Sequence, residues 1–125
     1  MKKLFSYLLP ILAYAGLIFA LSSQSQLPEM PSGQFDKLAH CIEYAILAWL
    51  LARAQVGYSV EVRRAWRVAV ALSILYAASD EFHQMYTPHR APELLDFLAD
   101  SAGAILGASL FVGFLNLGKK QEPSP

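Results

Sequence analysis

Leu4 to Leu21 reads LFSYLLPILAYAGLIFAL, without one charged side chain. A membrane-crossing helix needs roughly 20 mostly apolar residues, within a range of about 17–25, so this stretch is long enough to span. It exceeds the about 7–15 residues of a signal-peptide core, and no clear small-residue cleavage site follows, so it reads as a retained helix despite Lys2 and Lys3 before it. The rest of the chain agrees with that solvent. Of 125 residues, 55% are hydrophobic and only 16% charged, with a mean hydropathy of +0.35. Soluble domains carry about 45–50% apolar and about 25% charged residues.

Three further segments follow. The first, 38–54, is apolar apart from His40, Glu43 and Arg53. The second begins at Ala65 and must run past Asp80, to about residue 82, to be long enough. The third, 94–117, has Asp96 and Asp100 in its first two turns and is apolar thereafter. The expected fold is all-α: one domain over residues 1–118 with four membrane-spanning helices in a compact bundle. The polar tail Lys119–Pro125, KKQEPSP, is expected to be disordered.

Charge placement sets the expected orientation. Lys2, Lys3, Arg53, Arg63, Arg64, Arg67, Lys119 and Lys120, eight of the ten basic residues, gather on one side of a four-span chain. By the positive-inside rule that side is cytoplasmic, and so are both termini. The connections at 22–37 and 80–95 then face outward. Trp49 and Trp66 fall near the cytoplasmic interface, where indoles anchor helices. The expected location is a cell membrane, crossed several times, specifically a bacterial inner membrane. Ten acids balance the ten bases, which removes the electrostatic footprint of a nucleic-acid binder. The single cysteine, Cys41, forbids an internal disulfide and reads as a small core residue.

The outer ends collect the chemistry. Ionisable groups at membrane depth are costly unless paired or facing a wet cavity. Asp36, His40 and Tyr44 recur every four residues; Asp80, His83 and Gln84 fall at i, i+3 and i+4; Asp96 and Asp100 are again four apart. At about 100° per residue each set shares a helix face. With Glu81, these groups form a candidate polar pocket. Asp80, His83 and Asp100 are the candidate catalytic residues, His83 because imidazole titrates near neutral pH. Asp36, Lys37, His40, Tyr44, Glu81, Gln84, Arg90 and Asp96 are the candidate binding residues. Arg90 and Lys37 suit a phosphate or carboxylate. His40, His83, Asp96 and Asp100 are the candidate metal ligands by type, though no HExxH-like signature supports them, and no cofactor is indicated. The competing structural reading is that Arg90 and Lys37 neutralise the aspartates in a network that fixes the bundle.

Other features carry less. Ser101, Gly103, Gly107, Ser109 and Gly113 give the fourth helix a small-residue face for close packing, against a neighbouring helix or a second copy. Pro31-Ser32-Gly33 matches part of the PSGH motif of lipid phosphatases, but Gln34 replaces the histidine and no SRxxxxxHxxxD follows. Ser22 and Ser23 end the first helix, and His89 beside Pro88 reads as a solvated loop residue.

Ser22-Ser23-Gln24, DKLAHCIEYAILAWLL from Asp36, and YAASDEFHQMYTPHRAPELLDFLADSAGAILG from Tyr76 together resemble the VanZ-like family. The most specific part is DExHQ followed by PxR and DxxAD. By motif position the family-type residues are Asp36, Lys37, His40, Tyr44, Asp80, Glu81, His83, Gln84, Pro88, Arg90, Asp96, Asp100 and Gly103. The resemblance implies a small integral membrane protein, of a family named for glycopeptide (teicoplanin) resistance and without a settled reaction. The leading expectation is a site for an anionic, lipid-linked cell-envelope component at the outer leaflet. The alternative is a non-catalytic membrane partner or assembly subunit of an envelope complex. A transporter is the weaker third, since the charges gather at one face rather than the midplane. Expected partners are membrane lipids, a homo-oligomer or a membrane protein, and no nucleic acid.

Overall fold

The computed structural model describes residues 1–25 and 33–120. It contains four helices and no strand among those residues. The first begins with a π-wound turn, Leu4–Leu8, and continues as α1, Leu9–Ser22. Pro10 in the first turn of α1 explains the start: it has no N–H to give the carbonyl four residues back. That carbonyl belongs to Ser6, and the Arg53 guanidinium takes it instead at 2.9 Å.

Helix α2 spans Gly33–Gly57, α3 Val62–Gln84 and α4 Leu94–Lys120. The expected spans 38–54, 65–82 and 94–117 lie inside these helices. The expected tail begins too early, because Lys119 and Lys120 continue α4, where their cations oppose the helix-end carbonyls. Residues 121–125, and the 26–32 part of the first outer connection with Pro31 and Ser32, lie outside the described residues.

Between α2 and α3, Ser59 sits in the left-handed region at φ 68°. The N–H of Val60 reaches the Gln55 carbonyl and that of Ser59 reaches Val56, the paired bonds that close a helix C-terminus. Glu61 then caps α3, accepting the N–H of Arg63 and of Arg64 at 2.9 Å each. These bonds hold its carboxyl below the usual glutamate range.

The bundle is centred on α2 and α4. Gly103 lies against the Cys41 carbonyl and Gly107 against that of Ala45, so closely that a Cβ at either position would collide with the facing backbone. The pairings 41–103 and 45–107 also show that α2 and α4 run parallel. Around this contact Ala48, Ala52, Ala69, Ala104 and Ala108 are buried, and Trp49 meets Phe111 edge-on at 5.3 Å. The indole N–H of Trp66 donates to Ser109 of α4 at 3.0 Å. Both tryptophans therefore pack the bundle itself, beyond the interfacial role expected of them.

Helix α1 is an outer layer. Only Ile18 and Ser22 of it are buried, while Leu12 is 69% and Phe19 53% exposed. It runs parallel to α3, whose Tyr76 hydroxyl donates to the Ala15 carbonyl at 2.6 Å. At the other end Lys3 lies over the Tyr58 ring and Arg53 over Tyr7. The helices alternate in direction, so Asp36, Asp80 and Asp96 share one end and Lys3, Arg53 and Arg63 the opposite one. Two helices, Leu4–Ser22 and Leu94–Lys120, are long and apolar enough to cross a membrane by length and composition.

Candidate functional site at the polar end

Every site residue marked from the sequence lies at or near the polar end, but they divide into three groups. The first joins α2 to α4. The Lys37 ammonium donates to Glu93 at 2.7 Å, to Asp36 at 3.4 Å and to Asp96. One turn on, His40 Nδ1 donates to Asp100 Oδ1 at 2.9 Å, and Nε2 faces Asp96 Oδ2 at 3.8 Å, too long for a hydrogen bond. Asp100 is 0% exposed, so this imidazole is oriented by a carboxylate that water does not reach. That leaves Nε2 as the nitrogen free to exchange a proton.

Asp36, His40 and Asp96 bring ligand atoms within 4.8 Å of one another. Chemically this is a metal-type donor set, but Lys37 already bonds both of its carboxylates and supplies the positive charge that a cation would bring. His83 and Asp100, expected beside His40 and Asp96 as ligands, are not part of this three-residue donor set. His83 stacks on Phe19 of α1 with ring centroids 4.5 Å apart, and Asp100 is engaged by His40.

The second group is the connection from α3 to α4. Glu81 accepts the Glu93 N–H at 2.8 Å, pinning the chain just before α4. Thr87 accepts the Arg90 N–H at 3.2 Å, and His89 takes φ 62° beside Pro88, exposed as expected. Arg90 makes no ion pair among the described residues, and its buried Nε has no hydrogen-bond partner. The other oxygen of Glu81 and Nδ1 of His83 are also buried and unpartnered.

The third group lies deeper. Tyr44 is 0% exposed with Asp80 within electrostatic reach of it, and the buried Gln84 has its side chain near the Asp80 carboxylate. Two members escaped the sequence reading. Ser22, taken for a helix end, is buried with its hydroxyl turned toward Asp80, although no hydrogen bond of normal geometry forms. Glu43 lies within electrostatic reach of His40, Asp80, Asp100 and Arg90. Its signal was available: it is a carboxylate in the otherwise largely apolar 38–54 stretch, three residues after His40. Glu93, likewise passed over, links Lys37 to Glu81.

A family comparison matches residues 4–116 to VanZ/LLP1. The chain belongs to the VanZ/LLP1 family. The matched range takes in the first three helices, α4 as far as Asn116, and all three polar groups. Comparison with curated proteins and with solved structures yields no match.

Proposed function

We propose that this VanZ-family protein is a four-span membrane protein whose polar end faces outward and binds an anionic, lipid-linked component of the cell envelope. Both termini are cytoplasmic in this reading. It is supported by the cationic end opposite the polar one and by the apolar exterior of α1. The charges that make α2 and α3 less apolar lie toward the helix ends, acids at the polar end and Arg53, Arg63, Arg64 and Arg67 at the cationic one.

The anion reading rests on one observation. Of the two cations at the polar end, Lys37 is saturated by three carboxylates, whereas Arg90 has no ion pair among the described residues and a buried, unpartnered Nε. A guanidinium with free donors suits a phosphate or carboxylate in two-point contact. His40, held by Asp100, is the group placed to move a proton, with Asp80 and His83 beside the same ligand. A link to glycopeptide resistance would follow if the component bound is a cell-wall precursor.

A second reading draws on the first group. Lys37 and His40 tie α2 to α4 as a scaffold would, which suits a non-catalytic partner of an envelope complex. Its expected docking surface is weakened, because Gly103 and Gly107 are spent on α2.

Native mass spectrometry of the detergent-purified chain separates the two. The anion site is supported if the wild type retains a phosphate-bearing lipid that Arg90→Ala and Asp80→Asn both lose. If neither folded variant changes what is retained, the scaffold reading stands.

A further inference from the structure

The cationic end of the bundle carries a groove that the polar end does not explain. It lies between the start of α3 and the later part of α4, holds about 390 Å³, and is lined by Glu61, Val62, Arg63, Trp66, Ser109 and Val112. That volume is within the about 300–1,000 Å³ of small-ligand sites. The Trp66 indole N–H is already given to Ser109 at 3.0 Å, so what the indole offers an occupant is its apolar ring. Val62, Trp66 and Val112 are only half-buried, which leaves their apolar surface open along the groove.

The two charged lining residues are in different states. Both carboxylate oxygens of Glu61 are engaged, accepting the Arg63 and Arg64 N–H groups as the cap of α3. The ion pairs among the described residues all belong to Lys37 and His40 at the opposite end, so the exposed Arg63 guanidinium is unpaired among them. Arg67, one turn on and also exposed, shares its helix face. Among the described residues Glu61 is the only carboxylate at this end, against Lys2, Lys3, Arg53, Arg63, Arg64, Arg67, Lys119 and Lys120. An apolar groove with a free guanidinium at its mouth suits an amphiphile with a negative head. A second copy of the chain does not fit that description, because in the same membrane it would bring its own cations to the same level. Basic pockets between spans on the cytoplasmic side take anionic lipid head groups, and that leaflet supplies them.

We propose that this groove holds an anionic phospholipid of the cytoplasmic leaflet, with one acyl chain along Val62, Trp66 and Val112 and the phosphate on Arg63. This rests on the membrane placement given above and is independent of the anion site at the polar end.

The test is quenching of Trp66 fluorescence by lipids with brominated acyl chains, which act on contact. The full chain carries Trp49→Phe, so that Trp66 is its only tryptophan. If that variant does not fold, the difference between wild type and Trp66→Phe isolates the same signal. Bilayers contain brominated phosphatidylglycerol diluted in phosphatidylcholine, or the reverse. The anionic lipid is expected to quench with about fivefold higher apparent affinity, or about 1 kcal/mol for one basic contact. Arg63→Gln, an exposed change, is expected to bring the two lipids level. Val112→Phe, which narrows the groove, is expected to reduce quenching by both, with Val62→Phe as the substitute if it does not fold. Equal quenching by the two lipids overturns the proposal, as does a preference that survives Arg63→Gln. Quenching undiminished in a folded, narrowed groove overturns it too, by placing the acyl chain elsewhere. A Trp66 that neither lipid quenches, in a chain that is dimeric in detergent, overturns it in favour of a second copy. Flotation of the chain with the bilayers is read first: a chain that does not float overturns the membrane placement and this proposal together, whereas one that floats without preference overturns this proposal alone.

Discussion

Lys37 and Arg90 carry the same charge at the same end of the bundle and differ in what holds them. Lys37 neutralises Asp96, whose side chain is 9% exposed, and spans to Asp36 and Glu93. Removing its ammonium leaves that aspartate with only His40 Nε2 at 3.8 Å facing it, so Lys37→Met is expected to cost about 1–3 kcal/mol of folding stability. Thermal unfolding in detergent measures it, and a variant as stable as wild type would contradict the ion-pair account. The sequence put both cations at one end of the chain's helices, as the bundle does, and could not separate them. Spacing along a helix says which face a lysine shares; only the packing of α4 against α2 says how many carboxylates surround it. Ser22 was overlooked for a related reason, since it looked ordinary along its own helix and joined a polar cluster only when the helices met.

The helix contacts are set by very small residues. Gly103 and Gly107 bring α4 onto the Cys41 and Ala45 carbonyls, whereas an added Cβ at Gly113 would meet nothing within 4 Å. Gly107→Val is therefore expected to destabilise by at least about 1–3 kcal/mol or to prevent folding, while Gly113→Ala is expected to stay close to neutral. Matched melts of the two variants test the contact directly. The small-residue pattern was legible from sequence, but its partner was not, because periodicity does not distinguish a neighbouring helix from another molecule. At the start of α3, Glu61 is lowered in pKa by the N–H groups it caps. A lowered carboxyl stabilises the fold above its unfolded pKa and loses that contribution as pH falls through its folded value. The stability gap between wild type and Glu61→Gln should thus be present at neutral pH and close in acid. A gap that grows on acidification would contradict the capping role.

Across the whole molecule, the alternating helices sort charge into two ends, and the helix positions and this sorting were both legible from apolar runs and charge placement. What the sequence lacked was the division of the polar end into a clamp, a loop and a deeper buried cluster, which depends on register between helices. The proposed orientation has its own check. A fluorescent protein fused after Pro125 should fluoresce and alkaline phosphatase inserted between Tyr86 and Arg90 should be active; the reverse pattern would invert the molecule. The decisive measurement is the affinity of the purified chain for a phosphate-bearing lipid, wild type beside Arg90→Ala and Arg90→Lys, each verified as folded. Loss of a charge-assisted contact of about 1.5–3 kcal/mol predicts binding weakened roughly tenfold to a hundredfold in Arg90→Ala, with partial recovery in Arg90→Lys because a point charge replaces a fork. Unchanged affinity in folded Arg90→Ala would contradict an anion site at this end of the bundle.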